Sequence, residues 1–170
     1  MRRSSLALVT VFGLGHAPVA SGTFGSIPPI ALTAGLWLAG FHPGAGGLGS
    51  GVYHGTLACV LIAFSLACVT QGTAAEARFG HDPAEVVADE TAGQCIPLMF
   101  LPAAVFADWR AFTLTLLGAF LAFRLLDIVK PWPARGLQGV PGGWGILLDD
   151  LAAGAYAFLL VQITTRLLLS

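Results

Sequence analysis

The stretch Arg124-Leu125-Leu126-Asp127-Ile128-Val129-Lys130-Pro131-Trp132-Pro133, continued by Pro141-Gly142-Gly143-Trp144-Gly145-Ile146-Leu147-Leu148-Asp149-Asp150, decides how this chain is read. It gathers Arg124, Asp127, Lys130 and Arg135, then the adjacent pair Asp149 and Asp150, while the sequence on either side is almost wholly apolar. A charge set against the end of an apolar segment is costly to desolvate, so it has a partner or a task unless it faces water. A solvated loop is the plain alternative. It is disfavoured because charge is so scarce in the rest of the chain.

That scarcity sets the class. Only 10% of the 170 residues are charged and 56% are hydrophobic, with a mean hydropathy of +0.81. A soluble domain carries about 25% charged residues. The expectation is an all-α, polytopic membrane helical bundle forming a single domain over residues 1–170. The net charge of −1 supplies no basic field for nucleic acid. Cys59, Cys68 and Cys95 lie in apolar runs without Cys-x-x-Cys spacing and read as small buried hydrophobes. Residues 1–12 faintly resemble a secretory signal, but no cleavage site follows. They are expected to stay as an interfacial or short buried helix.

Five apolar segments are expected, at about 27–41, 56–70, 95–106, 111–123 and 151–169. The last comes closest to the roughly 20 residues that cross a bilayer. Pro97 and Pro102 should kink the third. Asp108 and Arg110 are placed at an interface, with Trp109 as anchor.

Between these segments lie two more polar stretches. Residues 13–26 are too rich in glycine for a helix and read as a loop that ends at Ser26 as N-cap, with Pro28 in the first helical turn. Backbone N–H groups there, with hydroxyls from Ser21, Thr23 and Ser26, suit an oxyanion; close helix packing through small residues is the alternative. In residues 71–93, Asp82 reads as a helix cap, Pro83 as its first position and Glu85 as the capping acid. If that helix continues, Glu85 and Asp89 share a face. Paired carboxylates there, with Glu90 beside them, suit a hard divalent cation such as Mg²⁺.

If Arg2 and Arg3 keep the N-terminus cytoplasmic, five crossings put residues 13–26, 71–93 and 124–150 on the cytoplasmic side, and 42–55 and 107–110 outside. The three polar stretches then form one site at the cytoplasmic face.

Together these stretches resemble the phosphatidylglycerophosphatase A family. The residues that carry the resemblance are Ser21-Gly22-Thr23-Phe24-Gly25-Ser26, Asp82 through Glu90, Arg124 through Pro133, and Gly142-Gly143-Trp144-Gly145 through Asp150 with Ala153 and Gly154. Two positions depart from it. Ser21 stands where the family commonly has proline, and residues 136–139 lack the charges often found in that linker.

The resemblance implies a multi-pass protein of the bacterial inner membrane. It implies hydrolysis of phosphatidylglycerol phosphate to phosphatidylglycerol and phosphate, dependent on Mg²⁺, with a membrane phospholipid as the partner. Glu85, Asp89, Glu90, Asp127, Asp149 and Asp150 are the expected metal carboxylates. Asp89, Asp127, Lys130 and Asp149 are the expected catalytic groups. Gly22, Thr23, Gly25, Ser26, Arg124 and Lys130 are the expected phosphate contacts. Because Lys130 precedes Pro131, it should leave helical geometry. The rival classes are a small membrane cation transporter and another metal-dependent lipid-modifying enzyme. The sequence is silent on oligomeric state.

Overall fold

Helix ends explain the architecture. A computed structural model of the protein describes residues 6–81 and 83–169. After a 3₁₀ turn at Val11–His16, the helices are α1 (Ser21–Leu38), α2 (Gly46–Phe79), α3 (Ala88–Cys95), α4 (Ala103–Ala107), α5 (Trp109–Val129), α6 (Ala134–Leu137) and α7 (Gly143–Leu168). No strand occurs among the described residues. α2 stops at Gly80, whose φ of 108° suits glycine and whose N–H donates to the Glu76 carbonyl. α5 starts at Asp108, whose carboxylate accepts the Ala111 N–H at 2.9 Å. It stops at Lys130, which adopts the left-handed conformation and donates its N–H to Leu126.

Three helices, α2, α5 and α7, are long and apolar enough to cross a membrane. The other two expected segments take different forms. Residues 27–41 fall largely in the 18-residue α1. Residues 95–106 are broken into a 3₁₀ turn at Ile96–Leu98, an extended bend at Met99 and the five-residue α4, as Pro97 and Pro102 require. That broken segment and the end of α3 pack along α2, α5 and α7. Gly93 abuts the Asp150 carbonyl and Phe123, whereas farther along Leu98 accepts the Tyr53 hydroxyl and Met99 and Phe100 accept the Gln162 amide.

Several helix boundaries differ from expectation. α1 begins at Ser21, so Gly22, Thr23, Gly25 and Ser26 are helical, and Pro28 and Pro29 lie inside the helix. Pro29 has no N–H for the Gly25 carbonyl one turn back. The Thr91 hydroxyl of α3 donates to that carbonyl instead, at 2.6 Å, which clasps α1 to α3. α3 begins at Ala88, so Glu85 belongs to the preceding turn and shares no helix face with Asp89. The expected capping residue Asp82 lies outside the described residues, as do Arg2 and Arg3. The start of α3 is held instead by Val9, whose carbonyl accepts the N–H groups of Val87 and Ala88. α7 starts at Gly143, so Asp149 and Asp150 are in its second turn and not in a loop. Cys68 and Cys95 are buried, but Cys59 is exposed on the outer face of α2.

The core has two main parts. One, around Tyr53, Leu57, Leu98, Val105 and Phe112, fills the end where α5 begins. The other, around Val9, Val11, Cys68, Val87 and Leu147, packs the N-terminal segment and α3 at the opposite end. The polar site lies at this second end.

Candidate active site

Four helices deliver charge to one place: α3 from its first turn, α5 from its last two turns, α7 from its second turn, and α1 by its start. Asp89, Glu90 and Asp150 each place a carboxylate oxygen within 4.8 Å of the others. Beside them, Arg124 Nη1 lies 2.7 Å from Asp127 Oδ2 and 3.9 Å from Glu90 Oε1. Lys130 Nζ donates to Asp149 Oδ2 in a short contact and lies 3.5 Å from Asp127 Oδ1 and 3.9 Å from Asp150 Oδ1. Five carboxylates thus surround two cations.

All five are well covered. Asp149 and Asp150 are only 3% and 2% exposed, and Asp89 and Asp127 are each 7% exposed. Buried charges need partners, yet Asp89 Oδ1, Glu90 Oε2, Asp149 Oδ1 and Asp150 Oδ2 accept no hydrogen bond. Burial pushes the Asp89 carboxyl well above the usual carboxylate range, and the Glu90 charge adds to this. Burial raises Glu90 too, partly offset by Asp89 and Arg124. At Lys130, burial works to lower the pKa. The hydrogen bond to Asp149 and the charges of Asp150, Asp149 and Asp127 overcome it, so the ammonium is held above the ordinary lysine value.

An excess of buried anionic oxygen, converging from α3 and α7 and left without donors, is the donor set a hard cation takes. The residues present therefore fit Mg²⁺ at Asp89, Glu90 and Asp150. Asp127 and Asp149, expected as ligands, instead face the guanidinium and the ammonium. Glu85 is not brought to this group: it is half-buried in the turn before α3, with its carbonyl against Gly15.

The α1 residues divide likewise. A Cβ on Gly22 would run into Glu90 Oε1 and the Arg124 guanidinium, so the start of α1 lies directly on the charged cluster, with Thr23 next to it. Gly25 and Ser26 serve packing. A Cβ on Gly25 would strike Val87, and the Ser26 hydroxyl donates to the Gly22 carbonyl at 2.9 Å. Sequence reasoning missed two supports. One is the Val9 carbonyl at the start of α3, a backbone contact with no side-chain signal. The other is the approach of Gly93 to Gly154, which brings α3 and α7 close enough for their carboxylates to meet. Two glycines on separate helices were the available sign.

A family model described as phosphatidylglycerophosphatase A matches residues 7–165. The chain is 32% identical over 148 residues to a phosphatidylglycerophosphatase A of Escherichia coli, covering 86% of this chain and 75% of that one. To its namesake in Haemophilus influenzae it is 33% identical over 156 residues, 91% and 84% of the two chains. A Bacteroides thetaiotaomicron protein, provisionally named a phosphatidylinositol-3-phosphatase, is 32% identical over 166 residues, 96% of each chain. No solved structure matches.

Proposed function

The chain belongs to the phosphatidylglycerophosphatase A family, and from that premise we propose that this phosphatase hydrolyses phosphatidylglycerol phosphate to phosphatidylglycerol and phosphate, with Mg²⁺, at the cytoplasmic face of a bacterial inner membrane. The observation that carries the reading is the charged cluster itself. Three carboxylates converge with unpartnered oxygens beside two cations, at the end of helices apolar enough to cross a bilayer. Phosphate monoesters hydrolyse extremely slowly uncatalysed, and five carboxylates around two cations need the charge of a bound metal before they can receive a phosphate dianion.

Asp89, Glu90 and Asp150 would hold Mg²⁺, which when bound neutralises phosphate charge and acidifies a water. Arg124 offers its fork and Lys130 a point charge to the phosphate oxygens. Asp127 and Asp149 set the positions of these two cations and are positioning residues. The first turn of α1, at Gly22 and Thr23, adds the positive end of a helix dipole. In the reaction a water oxygen bonds to phosphorus, the bond from phosphorus to the lipid glycerol oxygen breaks, and that oxygen gains a proton. The proton that the attacking water loses passes to a carboxylate of the cluster.

Five passes are supported by the packing of residues 95–106 against α2 and α7 beside α1 and α5. They put residues 42–55 and 107–110 together at the end away from the site. A second reading is a phosphatidylinositol 3-phosphate phosphatase, favoured by the Bacteroides relative that covers nearly all of both chains. The test is phosphate release by the purified protein from each lipid, with Mg²⁺ and with a chelator. Metal-dependent release from phosphatidylglycerol phosphate in preference to the inositol lipid is expected. Release that persists in chelator would remove the metal from the reading, and the opposite preference would favour the second substrate.

A further inference from the structure

We propose that the apolar cleft between α1 and α5 receives an acyl chain of the lipid substrate and is the side door through which that lipid enters from the bilayer; the assignment rests on the lipid-phosphatase reading above. α1 and α5 run antiparallel and touch at two places. At the polar end, Gly22 lies against Arg124. At the far end, Trp37 stacks on Phe112 with ring centroids 4.3 Å apart, and Trp37 Nε1 is tied to the Phe106 carbonyl at 3.1 Å. Between these contacts the helices part, leaving a cleft of about 580 Å³ lined by Ile27, Ala34, Leu38, Leu117 and Phe120.

Three features select the occupant. First, the cleft is continuous with the phosphate-facing cation, since Phe120 is one helical turn below Arg124 on the same helix. Second, its length suits a long acyl chain. Ile27 to Leu38 spans about 16 Å at 1.5 Å per residue. The Trp37–Phe112 stack closes the end far from the charged cluster. Third, the wall is open to the side: Ile27, Leu38 and Leu117 are exposed, so a chain already in the membrane slides in without leaving lipid. The groove between α5 and α7 is a poorer fit. It is smaller, about 230 Å³, and Phe123, Ala153 and Ala157 close the seam between it and the charged cluster.

Ala34→Trp places a bulky side chain inside the cleft and far from every charged residue of the site. It should lower kcat/KM on a long-chain phosphatidylglycerol phosphate about tenfold or more, while turnover of a dihexanoyl analogue, too short to reach Ala34, stays within about twofold. Leu160→Trp, in the α5–α7 groove, should alter neither. Equal effects of Ala34→Trp on both lipids, or none on the long-chain one, would overturn the proposal. A wild-type protein that releases phosphate from neither lipid would instead sink the phosphatase reading beneath it. A phospholipid carrying a diazirine in its acyl chain gives a second measurement on the unaltered protein. Labelling is expected within residues 27–38 and 112–120. Labelling concentrated at 160–169, or cross-linking of two protein chains through the α1–α5 face in place of lipid, would refute the assignment.

Discussion

Neutralising one carboxylate of the cluster should stabilise the metal-free protein while abolishing its response to Mg²⁺. Asp150 is the residue to change. It sits at 2% exposure, with carboxylate oxygens of Asp89 and Glu90 within 4.8 Å. At an effective dielectric of 20, two like charges at that distance repel by about 3.5 kcal/mol. Lys130, at 3.9 Å, returns about 4 kcal/mol on the same scale. Two fully ionised neighbours would outweigh the lysine by up to about 3 kcal/mol. Burial favours protons on Asp89 and Glu90, which lowers the net repulsion. Asp150→Asn keeps the shape and removes the charge. Lys130 still has Asp149 and Asp127, so no cation is stranded. The expected gain in chelator is about 1–3 kcal/mol, or several degrees in the unfolding temperature. Wild type should gain stability on adding Mg²⁺ by mass action; the variant should gain far less and turn over poorly. Thermal unfolding of detergent-purified protein, with chelator and across a Mg²⁺ titration, reads both. A variant less stable than wild type in chelator, yet stabilised by Mg²⁺ to the same extent, would refute the idea that repulsion among these acids is relieved by a metal.

Lys130→Met should cost about 3–5 kcal/mol of stability, because it strands buried Asp149, and should also lower kcat/KM per folded molecule, with Lys130→Arg rescuing in part. Unchanged kcat/KM per folded molecule would reduce Lys130 to a structural partner. Thr91→Val removes the donor that satisfies the Gly25 carbonyl and should destabilise by about 1–3 kcal/mol; an unfolding temperature equal to wild type would contradict the clasp between α1 and α3. For topology, single cysteines at Gly46 and Gln138 in a background free of Cys59, Cys68 and Cys95 should react with an impermeant reagent outside intact cells at Gly46 only. Reaction at Gln138 alone would invert the arrangement.

What the sequence disclosed was mostly local backbone chemistry and the pairing of distant polar stretches. Pro131 announced that Lys130 would leave the helix, and Lys130 does so in the left-handed region. Asp108 caps α5, and the two prolines of the third segment break it. The polar stretches around Gly22, Asp89 and Asp127 through Asp150 do meet at one end. Boundaries were less legible wherever a distant group compensates a local cost. The expected last segment begins only at 151, whereas α7 already includes Asp149 and Asp150, and Lys130 of α5 supplies the charge partner that their local sequence lacks. Gly22 through Ser26 read as loop because glycine disfavours a helix, yet α1 includes them, and the hydroxyl of Thr91, 66 residues away, supplies the bond that Pro29 cannot give. Glu85 read as a partner of Asp89 because helical spacing presumes a helix already begun, whereas the Val9 carbonyl sets its start at Ala88.

The placement of charge also follows the direction of the helices. Asp89 and Glu90 lie in the first turn of α3, where the positive end of the helix dipole favours anions, and Lys130 caps the C-terminus of α5, where the negative end favours a cation. Each charge is thereby stabilised before any ligand arrives, by about 0.3–1 kcal/mol in ordinary settings. That is too little to offset the desolvation of a buried ion, which runs to several kcal/mol. Arg124 and Lys130 meet part of the deficit at Asp127, Asp149 and Glu90. Of the carboxylate oxygens they leave uncovered, on Asp89, Glu90, Asp149 and Asp150, all but that of Asp149 belong to the residues whose carboxylates converge. Ion pairs hold the two cations, and unpartnered carboxylate oxygens gather beside them. This excess of buried acid beside two cations is what supports the proposal of a divalent cation held against a phosphate.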